Sequence, residues 1–239
     1  MTLFLLVAMT GQSKGKGEFT VLQWNVWQEG TMVPGGYDAI VNEIVRLQPD
    51  FVTFSEVRNY HNTRFNERIV ASQRDDAIKM FIAQAQKDIA NGYSVIIGGD
   101  FNEPSHLDWI EANKNLYDHN GLVIPWTGTT LLEQNGFVDT YRHIYPNPLT
   151  HPGFTYPADN PLKEPGKLTW APKADERDRI DFIFYKGKNL EAKKAIVFGP
   201  KGSIVRNKRV QETSKDNFLL PLDVWPTDHK GLLVTFKIK

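Results

Sequence analysis

A single layered α/β domain over residues 18–239 is what the sequence predicts, on three observations. Apolar β-prone stretches alternate with helical periodicity in the first hundred residues. Later apolar stretches are short and hairpin-like. Polar residues recur where apolar strands end. Alternation of this kind builds sheets with helices packed outside them, and 239 residues suffice to bury a substantial core near the upper size of one domain.

The elements follow in order. Phe19 to Trp27 reads as a strand, with Val21 and Leu22 in a β-prone context. Gly35-Gly36 makes a turn, after which Tyr37, Ile40, Val41, Ile44 and Leu47 recur at helical spacing with Asp38 in the first turn. Pro49 stops that helix because it has no backbone N–H to continue it. Asp50 to Glu56 is a second strand, ending in an acid. From Asp75 to Ala90, Ile78, Phe81, Ile82, Ala85 and Ile89 form one helical face, and Asn91-Gly92 supplies the stop. Ser94 to Gly98 is a short buried strand that delivers Gly99-Asp100-Phe101-Asn102. Residues 103–176, which hold many of the prolines, read as loop, and Ile180 to Tyr185 and Leu232 to Ile238 as the last strands. Residues 1–17 read as a flexible N-terminus or the remnant of an export signal. Leu3 to Met9 is apolar, but no basic stretch precedes it, so a periplasmic or secreted protein and a cytoplasmic one are both open.

Composition excludes several functions. With no cysteine there is no disulfide, thiolate zinc site or cysteine nucleophile. The 28 basic and 28 acidic residues cancel, whereas a protein gripping long nucleic acid usually carries a basic excess. A nuclease with a local contact patch stays open. No apolar run approaches the roughly 18 to 20 residues of a membrane span, and the chain is expected to be a monomer.

The strand-end residues are Asn25, Glu56, Asp100 with Asn102, Asp181, and Asp228 with His229. Each alone is more commonly a turn former; together, four acids, two carboxamides and one imidazole make an oxygen-rich set. Such a set suits Mg²⁺ or Mn²⁺ better than zinc. A hard cation polarises a phosphoryl oxygen, an Asp activates water, and a protonated His answers the growing negative charge. The joint pattern therefore describes phosphoester hydrolysis without a covalent intermediate. His61, His106, His119, His143 and His151 have no motif partner, and His151 reads as packing a loop.

The segments Leu22-Gln23-Trp24-Asn25-Val26-Trp27, Phe54-Ser55-Glu56-Val57-Arg58, Gly98-Gly99-Asp100-Phe101-Asn102-Glu103-Pro104-Ser105, Arg179-Ile180-Asp181-Phe182-Ile183 and Thr227-Asp228-His229 resemble, in order, the motif series of the endonuclease/exonuclease/phosphatase superfamily. That resemblance implies the deoxyribonuclease I-like fold, a four-layer α/β/β/α sandwich of two mixed sheets with helices outside. It implies Glu56 as principal metal ligand with Asn25 and Asp228, Asp100 orienting the attacking water, Asn102 on the phosphate, and Asp181 paired with His229. Arg58 and Trp170 are implied as substrate contacts, with a surface salt bridge an equal reading of Arg58. The expected substrate is a small-molecule or lipid phosphoester, with nucleic acid as the alternative and a non-catalytic binding module of the same fold as the rival.

One family segment has no counterpart. Glu56 and Asp100 stand 44 positions apart (56 to 100), and nothing in Val57 to Gly99 matches the family's strand ending in a Thr-His-Leu type histidine. The seam falls near Val70–Ala71. The exposed sheet edges that a deletion would leave favour a hidden segment at that point over a shortened chain; shortening would imply weak or absent catalysis.

Overall fold

The computed structural model describes residues 5–9, 17–57 and 74–239, with the side chains of 5–9 and 74–77 excepted. A four-stranded sheet has the order β1 (Leu5–Met9), β4 (Ser94–Asp100), β6 (Asp181–Lys186), β5 (Val138–Asp139). A five-stranded sheet runs β10 (Phe218–Leu219), β7 (Leu190–Phe198), β11 (Gly231–Ile238), β2 (Glu18–Asn25), β3 (Phe51–Ser55). A separate hairpin joins β8 (Gly202–Val205) to β9 (Lys208–Gln211). The helices are α1 (Gly36–Leu47), α2 (Arg74–Ala90), α3 (Thr127–Gln134) and α4 (Thr140–Ile144).

Three apolar clusters correspond to the three interfaces of a four-layer sandwich. Ile78, Ile82 and Ala85 of α2 meet Val95, Ile97, Phe182 and Phe184 on the outer face of the four-stranded sheet. Between the sheets, Phe19 and Val21 of β2 meet Ile96, Ile183, Tyr185, Val234 and Phe236. Outside the five-stranded sheet, Leu22 and Trp24 pack with Ile40 of α1, Phe198 and Trp225. Both faces of β2 are thus covered, which is why its apolar residues run together instead of alternating. The expected α/β/β/α sandwich is the fold observed.

Helix α1 ends where Pro49 predicts. Gln48 turns left-handed (φ 43°) and its N–H donates to Ile44 O, as a residue before proline is kept from continuing a helix. Two readings are corrected. Leu5–Met9, taken as flexible, is strand β1, antiparallel to β4 with Leu5 opposite Gly98; its five apolar residues supply an edge strand in place of a tail. Residues 103–176 are not all loop. Helix α3, TGTTLLEQ, has weak intrinsic propensity and is held by tertiary packing through buried Leu132. Helix α4 is capped by the Asp139 carboxylate, which accepts from Tyr141 N and Arg142 N. Strand β7 carries a register shift between Thr235 and Phe236 of its partner, which leaves Lys193 and Lys194 both outward and breaks the alternation that would have signalled a strand. Val70 and Ala71, where the sequence places the seam of the missing family segment, lie outside the described residues.

The topology gathers the strand ends. β2 and β3 are parallel, with Asn25 opposite Ser55, so Glu56 follows directly beside Asn25. β4 and β6 are antiparallel with Asp100 opposite Asp181. β11 enters antiparallel to β2 with Leu232 opposite Gln23, bringing Asp228 and His229 to the same edge.

Candidate active site

Along the inward row of β2 the residues change from apolar to polar: Phe19, Val21, Gln23, Asn25. The facing rows do the same, through Ile96, Gly98 and Asp100 on β4 and Tyr185, Ile183 and Asp181 on β6. The inter-sheet core therefore grades into a buried polar layer at one edge. Asp100, Asp181 and His229 meet there, each offering a ligand atom within 4.8 Å of the others.

His229 Nδ1 lies 2.9 Å from Asp181 Oδ2, with both side chains buried. Burial alone would lower the imidazole pKa. The Asp181 carboxylate, its hydrogen bond, and the charges of Asp100 and Asp228 outweigh that and raise it to about 10, so the ring is a cation at neutral pH. Asp100 is raised to about 6 by burial and by Asp181, against His229 and the donors from Asn102 and Asn25. Its Oδ2 accepts from Asn25 Nδ2 and Asn102 Nδ2, both at 3.1 Å, and its Oδ1 from Asn102 N at 2.8 Å. Asn25 Nδ2 also reaches Glu56 Oε1 at 3.3 Å. Burial and the nearby Glu56 charge raise Asp228 to about 6, against the attraction of His229.

Backbone conformation aims two of these groups. Glu56 (φ 59°) and Asn102 (φ 50°) are left-handed, a conformation non-glycine residues seldom adopt and one that concentrates at functional sites. Thr155 Oγ1 accepts from the backbone N–H groups of Ile180 and Asp181 at 3.0 and 3.2 Å, fixing the start of β6. The Tyr156 ring lies 4.9 Å from that of His229.

Of the sequence-predicted residues, the structure brings together Asn25, Glu56, Asp100, Asn102, Asp181, Asp228 and His229. Arg58 lies outside the described residues. Trp170 is 86% exposed on a loop held by Glu176, which accepts from Trp170 N and Ala171 N at 2.8 and 2.9 Å. Among the described residues, its ring makes no contact with the cluster. His106 is committed to Glu133 and Thr129, and His151 stacks on Tyr145 at 4.4 Å, a packing role. A cavity of about 770 Å³ lies beside Trp109, Tyr117 and Asp178 and is lined by none of the converging residues. Sequence reasoning missed Gln23, Ser55 and Thr155. The signal for Gln23 was a carboxamide at an inward position of an apolar strand.

The donor chemistry fits a hard divalent cation. Four carboxylates crowd one edge, and burial raises two of them, with Asp181 adding to the rise of Asp100 and Glu56 to that of Asp228, while His229 is the cation that opposes both. Positive charge there would relieve that repulsion.

A Caenorhabditis elegans protein described as "Uncharacterized protein F14F9.5" is 45% identical over 93 residues, covering 39% of this chain and 28% of that protein. The match thus spans little more than a quarter of that relative's length. Truncated C. elegans TDP2 superposes with a TM-score of 0.50 at 15% identity, over 92% of this chain and 98% of that one, a likeness of fold. A humanized D. rerio TDP2 gives a TM-score of 0.45 at 13% identity, over 93% and 100% of the two chains. Residues 22–229, which include every converging side chain, match the Endonuclease/Exonuclease/phosphatase family, and the chain belongs to that family.

Proposed function

We propose that this protein is a Mg²⁺-dependent hydrolase of phosphoester bonds, acting on a small-molecule or lipid-like phosphoester. The observation that carries the reading is the buried contact of Asp181 with His229 beside Asp100 (2.9 Å from Nδ1 to Oδ2), which supplies a proton-accepting acid and a fixed cation side by side. Glu56, Asn25 and Asp228 would hold the metal, with Mn²⁺ as a substitute; when bound, it polarises the phosphoryl group and offsets charge on the leaving oxygen.

The chain's own residues do the rest. Asp100, its Oδ2 held by two carboxamides, orients a water and takes its proton. Asn102 would hold the phosphate, a role its exposed position at a left-handed turn supports. His229, kept protonated by Asp181, donates a hydrogen bond to the phosphate as negative charge grows. The balanced charge of 28 basic against 28 acidic residues supports a small or lipid-like substrate over duplex DNA.

A second reading is favoured by one observation. The sequence of Val57 to Gly99 does not match the histidine-ended strand of the family resemblance, which supports a non-catalytic binder keeping the same edge. The test is turnover with and without Mg²⁺ on a nicked plasmid, a sphingomyelin-type lipid and a sugar phosphate. Metal-dependent turnover, faster on the lipid or the sugar phosphate, is expected. Faster plasmid cleavage would make the protein a nuclease, and chelator-insensitive binding without turnover would make it a binder.

A further inference from the structure

We propose that Gln23 is a positioning residue of this site: its buried carboxamide holds Asp181 in the orientation that presents the other carboxylate oxygen to His229. The inference rests on the hydrolase reading for its kinetic consequence, though not for its geometry.

Gln23 is fully buried on the inward row of β2, where Phe19 and Val21 before it are core residues. A carboxamide buried there is costly unless its donors and acceptor are used. Both functions are used. The two ends of the amide are distinguished by their partners: the nitrogen Nε2 donates to Asp181 Oδ1 at 3.3 Å and to Ser55 Oγ at 3.2 Å. Oε1 accepts from the Thr53 hydroxyl, directly opposite on β3. An ionised carboxylate only accepts, so the NH₂ end must face Asp181 and the amide cannot be reversed.

Asp181 is fully buried as well, and among the described residues Gln23 is the one side chain seen donating to its Oδ1. Oδ2 is taken by His229. With Oδ1 anchored from β2, rotation of the carboxylate away from the imidazole is blocked. The same carboxamide reaches the second acid through Ser55, whose Oγ also accepts from Asp100 N at 3.0 Å. Gln23 therefore ties β2 and β3 to the two acid-bearing strands of the other sheet, behind the groups that would meet substrate.

The test is a double-mutant cycle on the full chain, with bis(p-nitrophenyl) phosphate and Mg²⁺ as probes. Gln23→Leu is expected to lower kcat about 10- to 10²-fold, the range for truncating one partner of a charged hydrogen bond, with KM nearly unchanged. In an Asp181→Asn background the same change is expected to cost almost nothing more, because its effect runs through Asp181. Losses that simply multiply, or a loss confined to KM, would overturn the assignment. Should Gln23→Leu not fold, Thr53→Val releases the same carboxamide, and an unchanged kcat in that variant counts against the proposal. The ¹⁵N shift of His229 Nδ1, assigned with His229→Ala, reads the Asp181 contact without turnover. It is expected to move in Gln23→Leu; a fixed shift refutes the positioning role. An inactive wild type in which this shift still moves would overturn the hydrolase reading alone.

Discussion

Gly98 on β4 and Thr53 on β3 meet across the space between the sheets so closely that a Cβ on Gly98 would lie 2.6 Å from Thr53 Oγ1, 3.2 Å from its Cγ2 and 3.3 Å from its Cβ. The absent side chain is what lets the two sheets close over the polar layer beneath Asp100. Thr53 cannot turn aside freely, because its hydroxyl donates to Gln23 Oε1.

Gly98→Ala is therefore expected to destabilise the fold by about 1–3 kcal/mol, the usual cost of forcing an extra carbon into a packed interior. Denaturant unfolding measures it. Thr53→Ala in the same chain should return part of the loss by emptying the clashing volume. Full stability in Gly98→Ala alone would show that the sheets have slack at this level.

Turnover should depend on the two groups at the heart of the cluster. Asp100→Asn removes the proton acceptor while keeping the shape of the side chain, and His229→Ala removes the buried cation. Each is expected to lower kcat on the order of 10²-fold or more. Near-wild-type rates in either variant, measured under saturating Mg²⁺, would remove that residue from the mechanism.

Much of this arrangement was legible in the sequence because strand ends are marked twice, by an apolar run and by the polar residue that terminates it. Asn25, Glu56 and Asp100 carry that double mark at the end of a run, and Asp181 and His229 carry its mirror image, standing where a run begins. What could not be read depends on partners distant in the chain. Gln23 binds Asp181 across 158 positions, and nothing local distinguishes it from a polar interruption of a strand. Arg179, fully buried and paired with Asp108 and Asp139, is equally silent locally. β7 was hidden by a bulge that puts two lysines side by side, and α3 by a Thr- and Gly-rich sequence that only packing makes helical.

Metal binding should be visible in stability. A cation that binds only the folded chain stabilises it by mass action, about 2.7 kcal/mol at a hundred times its Kd. Mg²⁺ added to chelator-treated protein is expected to raise Tm. Glu56→Gln, which takes one negative charge from the edge it shares with Asn25 and Asp228, should sharply reduce that rise. An equal Mg²⁺-induced shift in Glu56→Gln would move the metal away from Glu56.

A pH dependence follows from a histidine remote from the cluster. His119 is buried, stacked on Trp109 at 3.9 Å and edge-on to Tyr117 at 5.9 Å. Burial lowers its pKa from the ordinary 6.5, more strongly than the charges of Asp175 and Asp108 raise it. The unfolded chain therefore takes up this proton first as the solution is acidified. The stability that neutral His119 contributes is complete above about pH 6.5 and is lost as pH falls from there toward the folded value, at up to about 1.4 kcal/mol per pH unit. His119→Phe keeps a ring against Trp109 and has no proton to bind. Unfolding free energies measured at intervals from pH 7.5 to 5 should fall less steeply in that variant than in the parent. Parallel curves would mean that His119 stays as easily protonated in the fold as in the unfolded chain, and that its stacking on Trp109 survives the charge.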